Sequence, residues 1–541
     1  MIERLVGNWL TNCSERGFEV PYCQLLNQQG FKVVHLTRHG PYEQGKDILA
    51  ISPEGKPAAF QLKGVRGARL TLTAYREMKA QITDLVEQRV TFPGISRDAH
   101  RPYLVLTGHI DEQVRRDIDD SNRDRWNSAN GFENLIVKTL PCLEQEFVQV
   151  FKNNQPTFVN VTKDIIQTWL SDGTDILDKK RFSEIIDSLL DAGSRPNGEQ
   201  AAIEKVSCAS AICGVALSPY WEARNHWALI EGLVLVWCYV YSYAERYGIN
   251  SRNFDSTLKI LEKEIDYCLE CLAVEATEEK SWLSVSLAEE RCQRRAVKTI
   301  VLGCMCAHRV IRRMQGVHEL ISDREYRFVL DGLDKLFLWG ESAIPFMLSI
   351  HWWGGKFSGS QKFQLLLAKC IYGILQANSR SLDRGRSNLE DPGLASPYYG
   401  VEEVLLAKFG DKSSAIEEEF IGSSYSLEAL VHLFAPLLWK RHLKVYWPEI
   451  TRTKYCRFVP EERWQLLTWR CLDGKLETRE PGHLVRFSDL IIKSENIDSA
   501  FVPMGLSERP HMALLYLLVF PHRINVDLVL WLNQQVKNSE N

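Results

Sequence analysis

The sequence predicts an α/β domain at the N-terminus followed by a large, mainly α-helical region. Three observations carry this. Up to about residue 150, short apolar runs of strand character alternate with segments of helical period. Beyond about residue 160 the helical period dominates and strand-like alternation is scarce. The composition, 45% hydrophobic and 25% charged over 541 residues, is that of a globular protein of two to four domains rather than of a disordered chain. The changes in pattern place domains at 1–155, 156–400 and 401–541, the last packed on the one before it.

Each element of the first region has a local reason. Phe18–Gln29 reads as a helix with Val20, Leu25 and Leu26 on its apolar side; Pro21 sets its regular start and Gly30 its end. Phe31–Leu36 and Asp47–Ser52 are strands separated by the polar loop His39–Gly45. Pro53-Glu54-Gly55-Lys56 is a tight turn, which pairs the strand Ala58–Lys63 with Asp47–Ser52 as a hairpin. Ala74–Gln88 places Tyr75, Met78, Ile82, Leu85 and Val86 in one helical stripe. Pro102–Thr107 is a buried strand, Asp111–Arg125 a charged helix and Leu135–Leu140 a last strand. The order αβββαβαβ gives a small mixed sheet.

Helical segments follow at 165–170, 181–190, 221–246, 254–275, 283–314, 325–339, 362–375, 427–442 and 511–518, with polar breaks at 191–199 and 376–400 and no internal repeat. The net charge of -4 excludes a protein that coats DNA through overall basicity; any nucleic-acid contact needs a local patch. The 14 cysteines are scattered through apolar runs, as in a reducing compartment, and no apolar leader is evident. The most apolar run, Leu233–Tyr241, falls short of the roughly 20 residues of a membrane-spanning helix. A cytoplasmic protein without membrane contact is expected.

One constellation stands out. Gln61 and Lys63 lie two apart on one strand and therefore on one face, and the hairpin returns that strand alongside Asp47. Phosphodiester hydrolysis needs a hard cation that binds a phosphate oxygen and acidifies a water. Mg²⁺ takes oxygen ligands and keeps several waters. Asp47 offers a carboxylate, and Gln61 and the Leu62 carbonyl offer neutral oxygens. Lys63 offers an ammonium for the attacking water or for developing charge. An ordinary hairpin with solvated Asp, Gln and Lys would leave the same pattern.

These residues resemble the PD-(D/E)xK nuclease superfamily, in particular its Mrr-like restriction endonuclease branch. The resemblance rests on Phe18-Glu19, Leu25-Leu26 with Gly30-Phe31, Gly45-Lys46-Asp47 and Gln61-Leu62-Lys63. It covers roughly the first 140 residues; the loop before Asp47 has fewer glycines than the branch usually shows. It implies a restriction-endonuclease-like fold, a catalytic set of Asp47, Gln61, Lys63 and Glu19, and Mg²⁺ (or Mn²⁺) on Asp47, Gln61, Leu62 and Glu19.

Basic residues follow the motif at Arg66, Arg69, Arg76 and Lys79. Arg66, Arg69, Arg76 and, in the preceding loop, Lys46 are the expected phosphate contacts. Arg38 and His39 also precede the Asp loop. Cys268, Cys271, Cys292, Cys304 and Cys306 read as core thiols rather than a zinc site, and His351-Trp352-Trp353 as packing rather than a base-stacking platform. No Walker, GxGxxG or HExxH pattern is present. The expectation is a metal-dependent DNA endonuclease, with RNA as the other candidate substrate. Its helical region would target, regulate or bind a partner subunit, in the manner of bacterial restriction and antiphage effectors. Double-strand cleavage favours a homo-oligomer or hetero-complex. The other reading is a non-catalytic nucleic-acid-binding or scaffold subunit on a degenerate nuclease fold.

Overall fold

The computed structural model describes residues 2–37, 45–65, 67–153, 163–190, 196–278, 292–316, 371, 375, 423–424, 426–434, 440–452, 454–469, 475–479, 488–489, 497–520 and 523–540. The chain divides into two compact units, Met1–Tyr267 and Cys268–Asn541.

In the first unit, helices α1 (Ile2–Asn12) and α2 (Glu15–Gln28) precede strands β1 (Lys32–Leu36), β2 (Ile48–Ile51) and β3 (Pro57–Lys63). There follow β4 (Arg69–Leu70), α3 (Leu72–Glu87), β5 (Arg101–Leu106), β6 (His109–Ile110), α4 (Glu112–Asp124), β7 (Ile136–Lys138) and α5 (Leu140–Asn153). The main sheet has five strands in the order β1-β2-β3-β5-β7. β1, β2 and β3 form an antiparallel meander; β5 and β7 are added parallel after crossovers through α3 and α4. The β2–β3 register runs from Ile48↔Phe60 to Ile51↔Pro57, and β3 pairs with β5 from Ala58↔Arg101 to Lys63↔Leu106.

β3 lies in the middle and is buried on both faces up to its last residue. Alternation sends Ala59 toward α3 and α4, where it joins Leu49, Leu104, Tyr75, Ile82 and Val114 in one core. It sends Phe60 the other way, onto Tyr103 (stacked, 4.5 Å between ring centroids), Tyr22 of α2 and Phe31. The mixed sheet and its flanking helices match the sequence expectation at this level. The helices α1 and α5 and the two-stranded β4–β6 sheet were not foreseen. α1 and α5 pack through Trp9 and Phe147, edge to face at 4.8 Å.

α2 corrects the expected helix start. It begins at Glu15, with the Ser14 hydroxyl accepting from Gly17 N–H (3.2 Å), and runs straight through Pro21. The tolerance has a tertiary cause. α8 (Glu199–Ala216) lies against α2 so closely that a Cβ on Gly214 would sit 3.0 Å from the Pro21 ring. The ring that removes a helical hydrogen bond is thus itself a packing element.

The first unit therefore extends past residue 155, through α6 (163–169), α7 (Lys179–Leu190), α8, α9 (Ser218–Glu222), α10 (His226–Tyr247) and into α11 (Asp255–Glu278). Gln24 and Asn27 of α2 bind α11 directly: Thr257 Oγ1 donates to Gln24 Oε1 (2.9 Å) and Ser256 Oγ to Asn27 Oδ1 (2.8 Å). The single helix expected over 221–246 is split at Ala223–Asn225, where Arg224 has φ +54 and Asn225 caps α10. α10 is the one described helix long and apolar enough to cross a membrane, and its apolar window is wholly buried inside the protein.

Among described residues, the second unit holds α12 (Cys292–Met314), further helices at Ser426–Phe434, Lys440–Arg452, Ala513–Val519 and Val526–Glu540, and a three-stranded sheet. Its strands are β8 (Ser423–Ser424), β9 (Lys454–Val459) and β10 (Lys475–Arg479), in the order β10-β9-β8. This small sheet lies within a region that is otherwise mainly helical, as the sequence leads one to expect. Cys268, Cys304 and Cys306 are buried within α11 and α12. The segments 325–339 and 376–400, the bulk of 362–375, and His351-Trp352-Trp353 lie outside the described residues.

Any side chain at Gly214 must displace the Pro21 ring. Gly214→Val is expected to destabilise the protein by about 1–3 kcal/mol, the usual cost of overpacking, measured by urea unfolding.

Candidate active site

Asp47 stands one residue before β2, and its backbone is fastened on both sides. Its N–H donates to the Phe60 carbonyl (2.8 Å), and its own carbonyl accepts from Thr37 N–H (2.7 Å) and Thr37 Oγ1 (2.8 Å). The loop leading into it is held against α3. Gly45 has φ +69, and a Cβ there would lie 2.4 Å from the Gln81 carbonyl oxygen. Glycine is required twice over, by conformation and by space.

The carboxylate so positioned accepts a hydrogen bond from Leu62 N–H at 2.6 Å. In a strand, a residue's N–H and C=O leave on the same side, so the Leu62 carbonyl faces the same gap as Asp47. The Lys63 carbonyl faces the opposite way and accepts from Thr107 N–H (3.2 Å).

Gln61 projects toward α3 and is only 2% exposed. Its Nε2 donates to Gln81 Oε1 (3.2 Å), while its own Oε1 has no hydrogen-bond partner. A buried acceptor left unsatisfied costs about 1–3 kcal/mol.

Lys63, two residues on, is half-buried and lies 3.9 Å from Glu15 Oε1 at the start of α2. Glu19 is one helical turn further along the same face of α2. It is 4% exposed, and both its oxygens accept from Arg16 Nη1 (2.9 and 3.0 Å). Burial is the main force lifting the Glu19 carboxyl, to about 8; the negative charge of Glu264 adds to it, Arg16 opposes it, and Asp47 raises it further. Glu19 and Asp47 are thus within each other's field.

Asp47 and Leu62 are thus bonded at one end of β2–β3, with Glu19 in the field of Asp47 and Lys63 beside Glu15. Gln61 is on the same strand end but turned to α3. Three participants come from outside the motif: Glu15 and Arg16 on α2, and Glu264 on α11. No sequence signal joins residue 264 to the hairpin; only the packing of α11 on α2 does so.

The expected phosphate contacts fall out differently. Lys46 is a correction: it is 3% exposed and its ammonium donates to the Asp84 carbonyl of α3 (3.0 Å), so it anchors the loop instead of facing a strand of nucleic acid. Burial lowers its pKa to about 8. Arg69 is well exposed, 4.0 Å from Asp111, and Arg76 is exposed on α3. Lys79 pairs with Asp117 (2.9 Å). Arg38, His39 and Arg66 lie outside the described residues.

Asp47 and the Leu62 carbonyl are oxygen donors of the kind a hard divalent cation takes, and the Gln61 oxygen, turned to α3, is a third of that kind on the same strand. Glu19 fits less directly, because Arg16 occupies both its oxygens. No family model, no curated protein and no solved structure matches this chain.

Two outcomes follow. Gly45→Ala should lower stability by about 1–3 kcal/mol through forced strain at a positive φ, read from thermal unfolding, and should displace Asp47. With its folded pKa raised above the ordinary carboxylate value, Glu19 holds a proton between pH 4.5 and 8 that the unfolded chain has lost. Its contribution to stability therefore declines as pH rises through that window. The melting temperature of Glu19→Gln relative to the parent should climb from pH 5 to pH 8; a difference that falls with pH would contradict this.

Proposed function

We propose that this chain is a divalent-metal-dependent nuclease of the PD-(D/E)xK superfamily, Mrr-like branch, built on a restriction-endonuclease-like domain. The Asp47 carboxylate anchored on Leu62 N–H, beside the Leu62 carbonyl on the same side of the strand, carries this reading. The element order α2-β1-β2-β3-α3-β5 and the orphaned Gln61 oxygen support it. Asp47, Leu62 and Gln61 would hold Mg²⁺ or Mn²⁺, with water completing the shell. When bound, such a cation polarises a phosphate oxygen and acidifies a water. Lys63 would orient that water and stabilise the charge that develops on phosphate. Arg69 and Arg76, with Arg66, would hold the backbone of the nucleic acid. DNA is the proposed substrate. A partner protein engaged by the helical region and a role in bacterial restriction or antiphage defence belong to the same proposal and rest on the resemblance.

A second reading has its own observation. Lys63 sits by Glu15, and Glu19 is locked by Arg16, as they would be in a degenerate module that binds nucleic acid without cutting it.

Plasmid DNA and a structured RNA, incubated side by side with the full chain and Mg²⁺ or Mn²⁺, separate these. Cleavage of DNA that drops at least about 10²-fold in both Asp47→Ala and Lys63→Ala is expected, the size of effect typical of losing one such electrostatic contributor. Cutting that survives both substitutions would remove the site. Binding without metal-dependent cutting would establish the second reading.

A further inference from the structure

Arg16 is not part of the motif that identifies the nuclease-like region, yet it is the group in closest contact with Glu19. Both Glu19 oxygens are taken by one guanidinium nitrogen, at 2.9 and 3.0 Å, in a setting where Glu19 is almost wholly buried. Arg16 is in turn held from the helical part of the same unit. Its guanidinium carbon lies 5.1 Å above the ring of Tyr267 on α11, and Tyr267 stacks on Trp221 of α9 at 6.2 Å. Glu264, buried on α11 one turn before Tyr267, adds its field to the same guanidinium. Immediately before α2, Ser14 N–H donates to Glu222 of α9. The first turn of α2 is thus gripped by α9 and α11, while Glu19, one turn on, lies in the field of Asp47.

We propose that Arg16 is a positioning residue that competes with the catalytic cation for Glu19, and that α11 sets the strength of that competition through Tyr267 and Glu264. The inference rests on the metal-site reading above and adds a control to it. A guanidinium nitrogen that donates to both oxygens of a carboxylate occupies it geometrically as well as electrically. A divalent ion at Asp47 gains Glu19 as a further oxygen only when that contact opens. The cation site is therefore weakened by its own neighbour, and the neighbour is anchored in the helical region. This gives that region a route to the chemistry that passes through one side chain. Loosening α11 from Arg16 strengthens cation binding; tightening it weakens cation binding.

The test is calorimetric titration of Mn²⁺ into the full chain, which reads the site without cleavage. Arg16→Gln should bind Mn²⁺ on the order of tenfold more tightly than the parent, the effect one close like charge exerts on an ionic site. Tyr267→Leu should shift the affinity in the same direction by less. The gain must vanish when Glu19→Gln is added to Arg16→Gln, because it works through that carboxylate. A gain that persists in the double variant, or unchanged or weaker binding in Arg16→Gln, overturns the role of Arg16. Should Arg16→Gln fail to fold, Arg16→Lys keeps the charge but loses the planar contact over Tyr267 and, being shorter, draws back from Glu19. An intermediate tightening supports the proposal, and parental affinity overturns it. The underlying site is judged separately: Asp47→Ala must abolish Mn²⁺ uptake by the parent, and equal uptake by both proteins defeats the metal-site reading itself. Uptake by none of the variants overturns both.

Discussion

The 2.6 Å hydrogen bond from Leu62 N–H to the Asp47 carboxylate is the constraint on which the candidate site depends. It ties a side chain at the mouth of one strand to the backbone of the next, and so fixes the side of the β2–β3 hairpin on which oxygen ligands collect. Nothing about this bond is local. Thr37 clasps the Asp47 carbonyl from β1, Gly45 lets the loop touch α3, and Lys46 locks that contact by donating to Asp84. Three separate elements thus hold one carboxylate in place. A position defined by several independent contacts is the kind that preorganised chemistry needs.

Charge is distributed around this point with evident economy. Lys63 and Arg16 each stand beside a glutamate of α2, Glu15 and Glu19. The buried Glu19 is pushed toward its neutral form by desolvation and by Glu264. A divalent charge placed in such a cluster would alter which partner each carboxylate prefers. The helical elements α9 and α11 reach into this balance through Glu222, Glu264 and Tyr267. The helices of the first unit that lie beyond residue 155 are therefore part of the surroundings of the site.

Much of the N-terminal architecture was legible because it is written at short range. The turn Pro53–Lys56, the alternation along β3 and the stripe on α3 each state their own conformation. The hairpin also foretold that Asp47 would meet the strand bearing Gln61 and Lys63. What could not be read came from long-range packing. Pro21 looked like a helix start, and became an interior residue because Gly214 accepts its ring. Lys46 looked like a phosphate contact, and turned inward because the Asp84 carbonyl lies beneath the loop. Arg16 and Glu264 carry no motif at all; their meaning arises only when α11 packs on α2. The β9–β10 pair in the second unit was hidden for a similar reason, lying as short strands within a region of helical pattern.

The cation site is proposed to use oxygen atoms of Asp47, Leu62 and Gln61. Anomalous diffraction from crystals of the full chain soaked in Mn²⁺ tests this most directly. The account requires an anomalous peak within coordination distance of the Asp47 carboxylate and the Leu62 carbonyl, about 2.1–2.4 Å for a hard divalent ion. A peak elsewhere, or none at this strand end while Asp47 keeps its bond to Leu62, would contradict it.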